Sequence, residues 1–167
     1  MLKRVQSFPP IADRSAETLI LGSMPGEASL TAGQYYAHPQ NAFWRIMGAL
    51  LGFDPALPYA ARVRALKKAH IAVWDVLHSC TRPGSLDSSI DHETLEANDF
   101  AVFFRGHSRI RRVFFNGSTA ETCFKRHVIK DLVLGRVSFT RLPSTSPAHA
   151  ARSFEDKLRA WRVVAPT

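Results

Sequence analysis

Apolar residues come in short bursts along this chain, and the bursts follow two periods. Thr18-Leu-Ile-Leu-Gly22 is an unbroken run that stops at a glycine, which predicts a short buried strand. Ile71-Ala-Val-Trp74, leading straight into Asp75, predicts a second, Val113-Phe-Phe115 a third, and Val137–Arg141 a fourth. Between them the spacing turns helical. From Asn41 onward Phe43, Met47 and Leu50 share one face, with Trp44 and Leu51 beside them. A second helix, about Tyr59–Ala69, carries Arg62, Arg64, Lys67 and Lys68 on its polar side, and a third runs over Phe100–Arg105. Ser118-x-x-Glu121 reads as a capping box opening a helix to Val128. Ser153-x-x-Asp156 starts a last helix with Phe154, Leu158 and Trp161 on one face, and the stretch Leu77–Ala97 reads as one long loop.

Strands that alternate with helices imply an α/β fold, a three-layer α/β/α sandwich around a four-stranded parallel sheet. No internal repeat or long linker interrupts the pattern, so residues 1–167 are expected to form a single domain. In such sheets the working loops follow the carboxyl ends of the strands. Here those loops are Ser23–Pro39, Asp75–Ser89, Asn116–Ser118 and Leu142–Ala151, the segments richest in unusual polar residues.

Composition narrows the partners. The formal charge is +8, with 22 Lys and Arg against 14 Asp and Glu, which favours an anionic partner and above all nucleic acid. No apolar run is long enough for a membrane span, and the start lacks an apolar export segment, so a cytoplasmic protein is expected. The two cysteines, Cys80 and Cys123, lie far apart and form no metal-binding pair; neither a metal nor another cofactor is expected.

Three segments carry candidate chemistry. Gly22-Ser-Met-Pro-Gly26 places two glycines around a turn after a strand, where backbone N–H groups can approach a ligand closely. It is neither of the usual nucleotide-phosphate loops. It runs on into Gln34-Tyr-Tyr-Ala-His-Pro-Gln-Asn-Ala-Phe-Trp44, whose paired tyrosines either stack on a planar base or pack under the loop. Asp75 stands at a strand end beside a buried run, where a carboxylate either serves a site or caps the loop that follows. Leu142-Pro-Ser-Thr-Ser-Pro-Ala-His149 is a stiff hydroxyl-rich loop suited to clamping phosphate. Asn116-Gly117 reads as a turn before its helix.

Taken together, GSMPG, YYAHPQNAFW, WDVLHSCTRPGSLDSSI, FNGSTA and LPSTSPAH resemble, in order and spacing, the motifs of the uracil-DNA glycosylase superfamily. The nearest likeness is to its hypoxanthine-DNA (DNA-deoxyinosine) glycosylases, over roughly Leu19–His149. One departure is notable. The mismatch-specific relatives keep a catalytic asparagine inside the first glycine loop, where this chain has Met24. The iron–sulfur branches, with four cysteines, are excluded.

The resemblance implies an enzyme that flips a deaminated base out of double-stranded DNA and hydrolyses its glycosidic bond. Gly22, Ser23 and Met24 would line the base pocket and Tyr36 would stack on the base; Asn41 and Asp75 are the catalytic candidates, with Asn41 orienting the attacking water or stabilising charge as the bond breaks. Asp75 would read the base edge, donating only if protonated. Ser144, Thr145 and Ser146 would clamp phosphates, with Pro147 and His149 near the gap in the stack. Arg109, Arg111, Arg112 and the second helix could add backbone contacts. A monomer suits this task, and single-stranded DNA remains open as a second substrate. So do three other readings: a uracil or G·T-mismatch glycosylase, a non-catalytic DNA-binding relative, and a hydrolase of free nucleosides. None of the four loops contains a lysine, so water rather than an amine is the expected nucleophile.

Overall fold

The computed structural model describes residues 3–166. The chain opens with a short strand, β1 (Arg4–Gln6), then β2 (Thr18–Gly22), helices α1 (Glu27–Ala32), α2 (Phe43–Leu51) and α3 (Tyr59–Lys68), and strand β3 (Ile71–Asp75). Strands β4 (Leu77–Thr81) and β5 (Asp91–Ala97) follow, then α4 (Phe100–Gly106), β6 (Arg112–Asn116), α5 (Ser118–His127), β7 (Ser138–Leu142) and α6 (Phe154–Trp161). The four expected strands form one parallel sheet in the order β3-β2-β6-β7, held between helices as a three-layer α/β/α sandwich.

Register explains how this sheet serves two layers at once. Leu21 lies opposite Trp74 on one side and Phe115 on the other, so all three point to the same face. There Trp74 meets Phe100 and Phe103 of α4, while Phe115 and Phe139 meet Phe124 of α5. One residue further along each strand the side chains point the other way. Gly22 pairs with Asp75, and Asn116 pairs with Leu142, so these four face the layer of α2 and α6. In that layer Phe43 and Trp161, both fully buried, meet edge to face at 6.1 Å. A single step of period two thus divides aromatic core from polar site.

Elsewhere the fold departs from the elements its sequence predicts. The stretch 77–97 is not a loop: β4 and β5 pair antiparallel, and β1 joins the other edge of β4 in a second sheet, β1-β4-β5. The glycine-rich loop after β2 contains α1. Helix α2 begins at Phe43 rather than Asn41, and its buried face is Phe43, Trp44, Ile46 and Met47, with Leu50 only half-buried. The Ser118 capping box does not form. Gly117 stands at the cap without a side-chain bond, and Glu121 instead reaches Lys125 at 3.5 Å and Arg141 at 3.7 Å. Ser153 does cap α6, accepting from the Asp156 amide at 3.2 Å.

Candidate active site

The carboxyl ends of β3 and β2 build the first half of the site around Gly22. A methyl group at Gly22 would overlap the Asp75 carboxyl and stand 2.9 Å from the Tyr36 hydroxyl. Only a residue without Cβ lets those two groups converge. Tyr36 is held there with φ at 54°, a left-handed conformation costly for a tyrosine, and its ring stacks on Phe43 at 4.2 Å. The ring keeps some exposed area, but the hydroxyl is buried and finds no partner. The same holds for Oδ2 of Asp75, a residue only 3% exposed. Two unsatisfied polar atoms so close together are costly in a finished interior.

Burial raises the Asp75 carboxyl to about 7, with the nearby Asp87 pushing the same way and Arg82 opposing. Near neutral pH its protonated form is therefore well populated. Burial, reinforced by Asp75, also raises the Tyr36 phenol, which stays neutral; the Asn116 carboxamide moderates that rise. Tyr35 is a different residue altogether. It is buried, and its hydroxyl donates to the Pro9 carbonyl at 2.9 Å, so it packs under the loop and only Tyr36 faces the site.

The loops pin one another. Backbone N–H groups of Val76 and Leu77 donate to the carbonyls of Gly22 and Ser23 at 2.8 and 3.1 Å. The buried Ser23 hydroxyl donates to Asp87 at 2.6 Å, and the Glu27 amide donates to the Ser85 hydroxyl at 2.7 Å. Met24 is buried beside them. Arg82, 3% exposed, donates from Nη2 to the Pro25 carbonyl and from Nε to the Gly84 carbonyl at 3.0 Å.

The second half grows from the ends of β6 and β7. The Asn116 carboxamide closes a two-bond ring with Thr145, donating to its hydroxyl and accepting from its amide, both at 2.9 Å. Thr145 is 1% exposed, and its carbonyl accepts from the Ala42 amide at 3.0 Å. Its amide donates to Asn116 and its hydroxyl accepts from it, so Thr145 is held inward, away from the more open positions of its serine neighbours. Ser144 and Ser146 remain half-buried, each accepting from the amide two residues on and keeping its own proton to donate. Pro147 is exposed, and His149 is half-buried with Nε2 unpartnered. Gly117, at φ 94°, lets this loop close, since a Cβ there would press on Ser144 Cβ at 3.1 Å.

Asn41 lies at the junction of the two halves, next to the Ala42–Thr145 bond. Its Oδ1 accepts from the Phe43 amide at 3.0 Å, so it also shapes the start of α2. Helix α6 braces the second loop from behind: Trp161 donates to the Pro143 carbonyl at 2.9 Å and Lys157 to the Ser146 carbonyl at 3.3 Å. Lys157 is 6% exposed, and burial, with Arg45 adding to it, lowers its ammonium pKa. The sequence reading finds no lysine near the loops; the fold brings one there from another element.

Of the basic residues expected on DNA, two lie away from these loops and a third folds back on the protein. Arg111 and Arg112 sit at the amino end of β6, the far end of the sheet, and Arg112 is tied to the carbonyls of Val163 and Val164. Arg62 folds back over Trp44 at 4.7 Å. Sequence reasoning gave Asn116 only a turn and assigned nothing to Arg82, Asp87 or Lys157. For Asn116 a signal existed, since it ends a strand out of phase with the buried Phe115. Among the described residues no cluster of three or more His, Cys, Asp or Glu could hold a metal, and no helix is long and apolar enough to cross a membrane.

A cluster of buried polar groups and a hydroxyl-rich loop thus stand side by side at one end of the parallel sheet. Residues 9–165 match the family model of the uracil DNA glycosylase superfamily, and the chain belongs to that superfamily. It is 42% identical over 113 residues to a hypoxanthine DNA glycosylase of Methanosarcina barkeri, covering 67% of this chain and 70% of the relative. It is 39% identical over 121 residues to the hypoxanthine DNA glycosylase of Methanosarcina acetivorans, covering 72% and 74%. A solution NMR structure from Methanosarcina acetivorans, provisionally named a uracil DNA glycosylase, superposes with a TM-score of 0.83 at 32% identity over 98% of both chains.

Proposed function

We propose that this DNA glycosylase flips hypoxanthine from duplex DNA into the Gly22 pocket and hydrolyses its bond to the sugar, leaving an abasic site. The observation that carries this reading is the convergence on Gly22 of the Asp75 carboxyl and the Tyr36 hydroxyl, with Asp75 Oδ2 and that hydroxyl both buried and unpartnered. Hypoxanthine offers an N–H and a C=O side by side. A protonated carboxyl offers the complement, an O–H donor beside a C=O acceptor, and the two match as a double hydrogen bond. Asp75, raised to about 7, supplies that form near neutral pH. An ionised carboxylate would accept the N–H but repel the neighbouring oxygen.

Tyr36, backed by Phe43, holds the base by its ring. Ser23 and Met24 line the pocket beside it. Ser144 and Ser146 donate to phosphates flanking the lesion, while Pro147 and His149 face the gap left in the stack. The ends of β3 and β7 lie three strand spacings apart, roughly 14 Å, which separates base from backbone. Asn41, between them, orients water toward C1′ of the sugar. An amide is no general base, so position and electrostatics carry the step.

The test is a set of duplexes, each with one hypoxanthine, xanthine, uracil or G·T site, under single turnover. Hypoxanthine release with an alkali-labile abasic product is expected. Uracil presents the same N–H and C=O edge, so faster uracil release would move the preference there. Release from free deoxyinosine but not from DNA would make the protein a nucleoside hydrolase. DNA binding without release of any base would make it a non-catalytic relative.

A further inference from the structure

Arg82 is the least expected charge in the molecule. A guanidinium keeps its proton at any ordinary pH, and burying it without a carboxylate partner is costly. Yet Arg82 is 3% exposed, and it takes part in none of the ion pairs found among the described residues. Two of its nitrogens hold the backbone at Pro25 and Gly84, and the third, Nη1, is buried without any partner. Two observations tie that placement to the Gly22 half. Pro25 lies in the turn that follows Gly22, and the positive charge is close enough to bear on the Asp75 carboxyl. The acids near it do not cancel it. Asp75 is protonated in the form that reads the base, and Asp87 is exposed and takes the Ser23 hydroxyl.

We propose that Arg82 is the counter-charge for the base as it departs. This rests on the reading of the Gly22 pocket as the base site. In the step concerned the C1′–N9 bond breaks and its electron pair leaves on the base. The oxygen of water bonds to C1′, and the proton that water gives up ends on the base or in solvent. The purine carries negative charge until it is protonated. A fixed cation in a dry pocket stabilises that charge without reorganising, and it does so more in the transition state than in the bound substrate. Asp75 and Arg82 thereby divide the work: the neutral acid recognises the base, and the cation favours its leaving.

Leaving-group acidity tests this directly. Duplexes carrying hypoxanthine or the more acidic 8-azahypoxanthine are compared under single turnover, alongside uracil and 5-fluorouracil. In Arg82→Met, release of the ordinary base should fall about a hundredfold and release of its acidic analogue far less, because a better anion needs less help. Arg82→Lys should recover part of the loss. A purely structural role would slow both bases equally, and a phosphate contact would appear as weaker binding of an uncleavable abasic-analogue duplex with the ratio unchanged; either result overturns the proposal. If Arg82→Met does not fold, the intact enzyme still answers: free 8-azahypoxanthine should inhibit more strongly than free hypoxanthine, and equal inhibition removes the idea. Release of no base by the unaltered enzyme would instead sink the pocket reading and this inference with it.

Discussion

The two halves of the site are built on opposite terms. Around Gly22, polar groups are buried and left unpaired: Asp75 Oδ2, the Tyr36 hydroxyl and Arg82 Nη1 are three of the six such atoms among the described residues. Around Asn116 nearly everything is paired. Its amide and Thr145 satisfy each other, Thr145 holds Ala42, and α6 anchors the carbonyls of Pro143 and Ser146. His149 Nε2 is the exception, at the end of the loop. Unpaired groups in a closed interior cost stability and gain it back when a ligand supplies the partners, which is why the proposed function gives recognition of the base to the Gly22 half. The Asn116 half is preorganised and offers only the outward protons of its two serines. Such a loop suits the DNA backbone, whose phosphates are the same at every site.

The largest expected effect is at the centre of the unpaired half. Gly22→Ala drives a methyl into the Asp75 carboxyl and the Tyr36 hydroxyl, and should cut single-turnover release by about a thousandfold or more. Normal release from a folded Gly22→Ala protein would break the comparison outright. At the junction, Asn41→Ala should cost about a hundredfold in release with little change in melting temperature. Loss of both together would leave Asn41 only its bond to the Phe43 amide.

Asp75→Asn sharpens the contrast through pH. An amide offers a donor and an acceptor at any pH, so the variant should keep releasing base at pH 8–9. The unaltered enzyme should lose about tenfold per pH unit above its carboxyl pKa of about 7. A general base at Asp75 would give the opposite profile, with activity rising through pH 7. Stability follows the same group. Unfolded, the carboxyl ionises near 3.8; folded, near 7. Between those values only the unfolded state sheds its proton, so the native state should lose stability as pH rises from about 4 to about 7, by at most about 4 kcal/mol. Denaturant titrations should find that decline in the unaltered protein and not in Asp75→Asn.

In the paired half the effects are on stability. Thr145→Val leaves the Asn116 amide without its acceptor and should cost about 1–3 kcal/mol, with release slowed through weaker DNA binding. The smallest effect concerns Lys157. Its amine is directed at the Ser146 carbonyl, so borohydride should trap no adduct, and strands should break only on later alkali treatment. A trapped adduct lost in Lys157→Met would make that lysine a nucleophile and overturn the division between the halves.

The parallel sheet was legible because β2, β3 and β6 carry unbroken buried apolar runs and the strands stop at Gly22, Asp75, Asn116 and Leu142, where the loops begin; β7, mostly exposed, shows only Val137 and Phe139 before its end. The second sheet was not. Asp91-His-Glu-Thr-Leu-Glu-Ala97 is too polar to look like a strand, and one edge of its partner β4 is covered by residues more than seventy positions earlier. Asp75 and Tyr36 could be picked out because an acid or an aromatic in such a place needs a reason. Asn116 was obscured by the glycine after it, which makes any Asn-Gly look like a turn. Arg82 and Lys157 could not be seen at all, since a cation in a sequence looks solvated until the fold buries it.

The brace behind the serine loop has a consequence for the order in which the enzyme comes into being. The pocket residues through Arg82 are synthesised first, the Asn116–Thr145 lock next, and Lys157 and Trp161, which hold the loop from behind, after both. The two halves are thus completed in order along the chain, and the serine loop receives its brace from α6 after both.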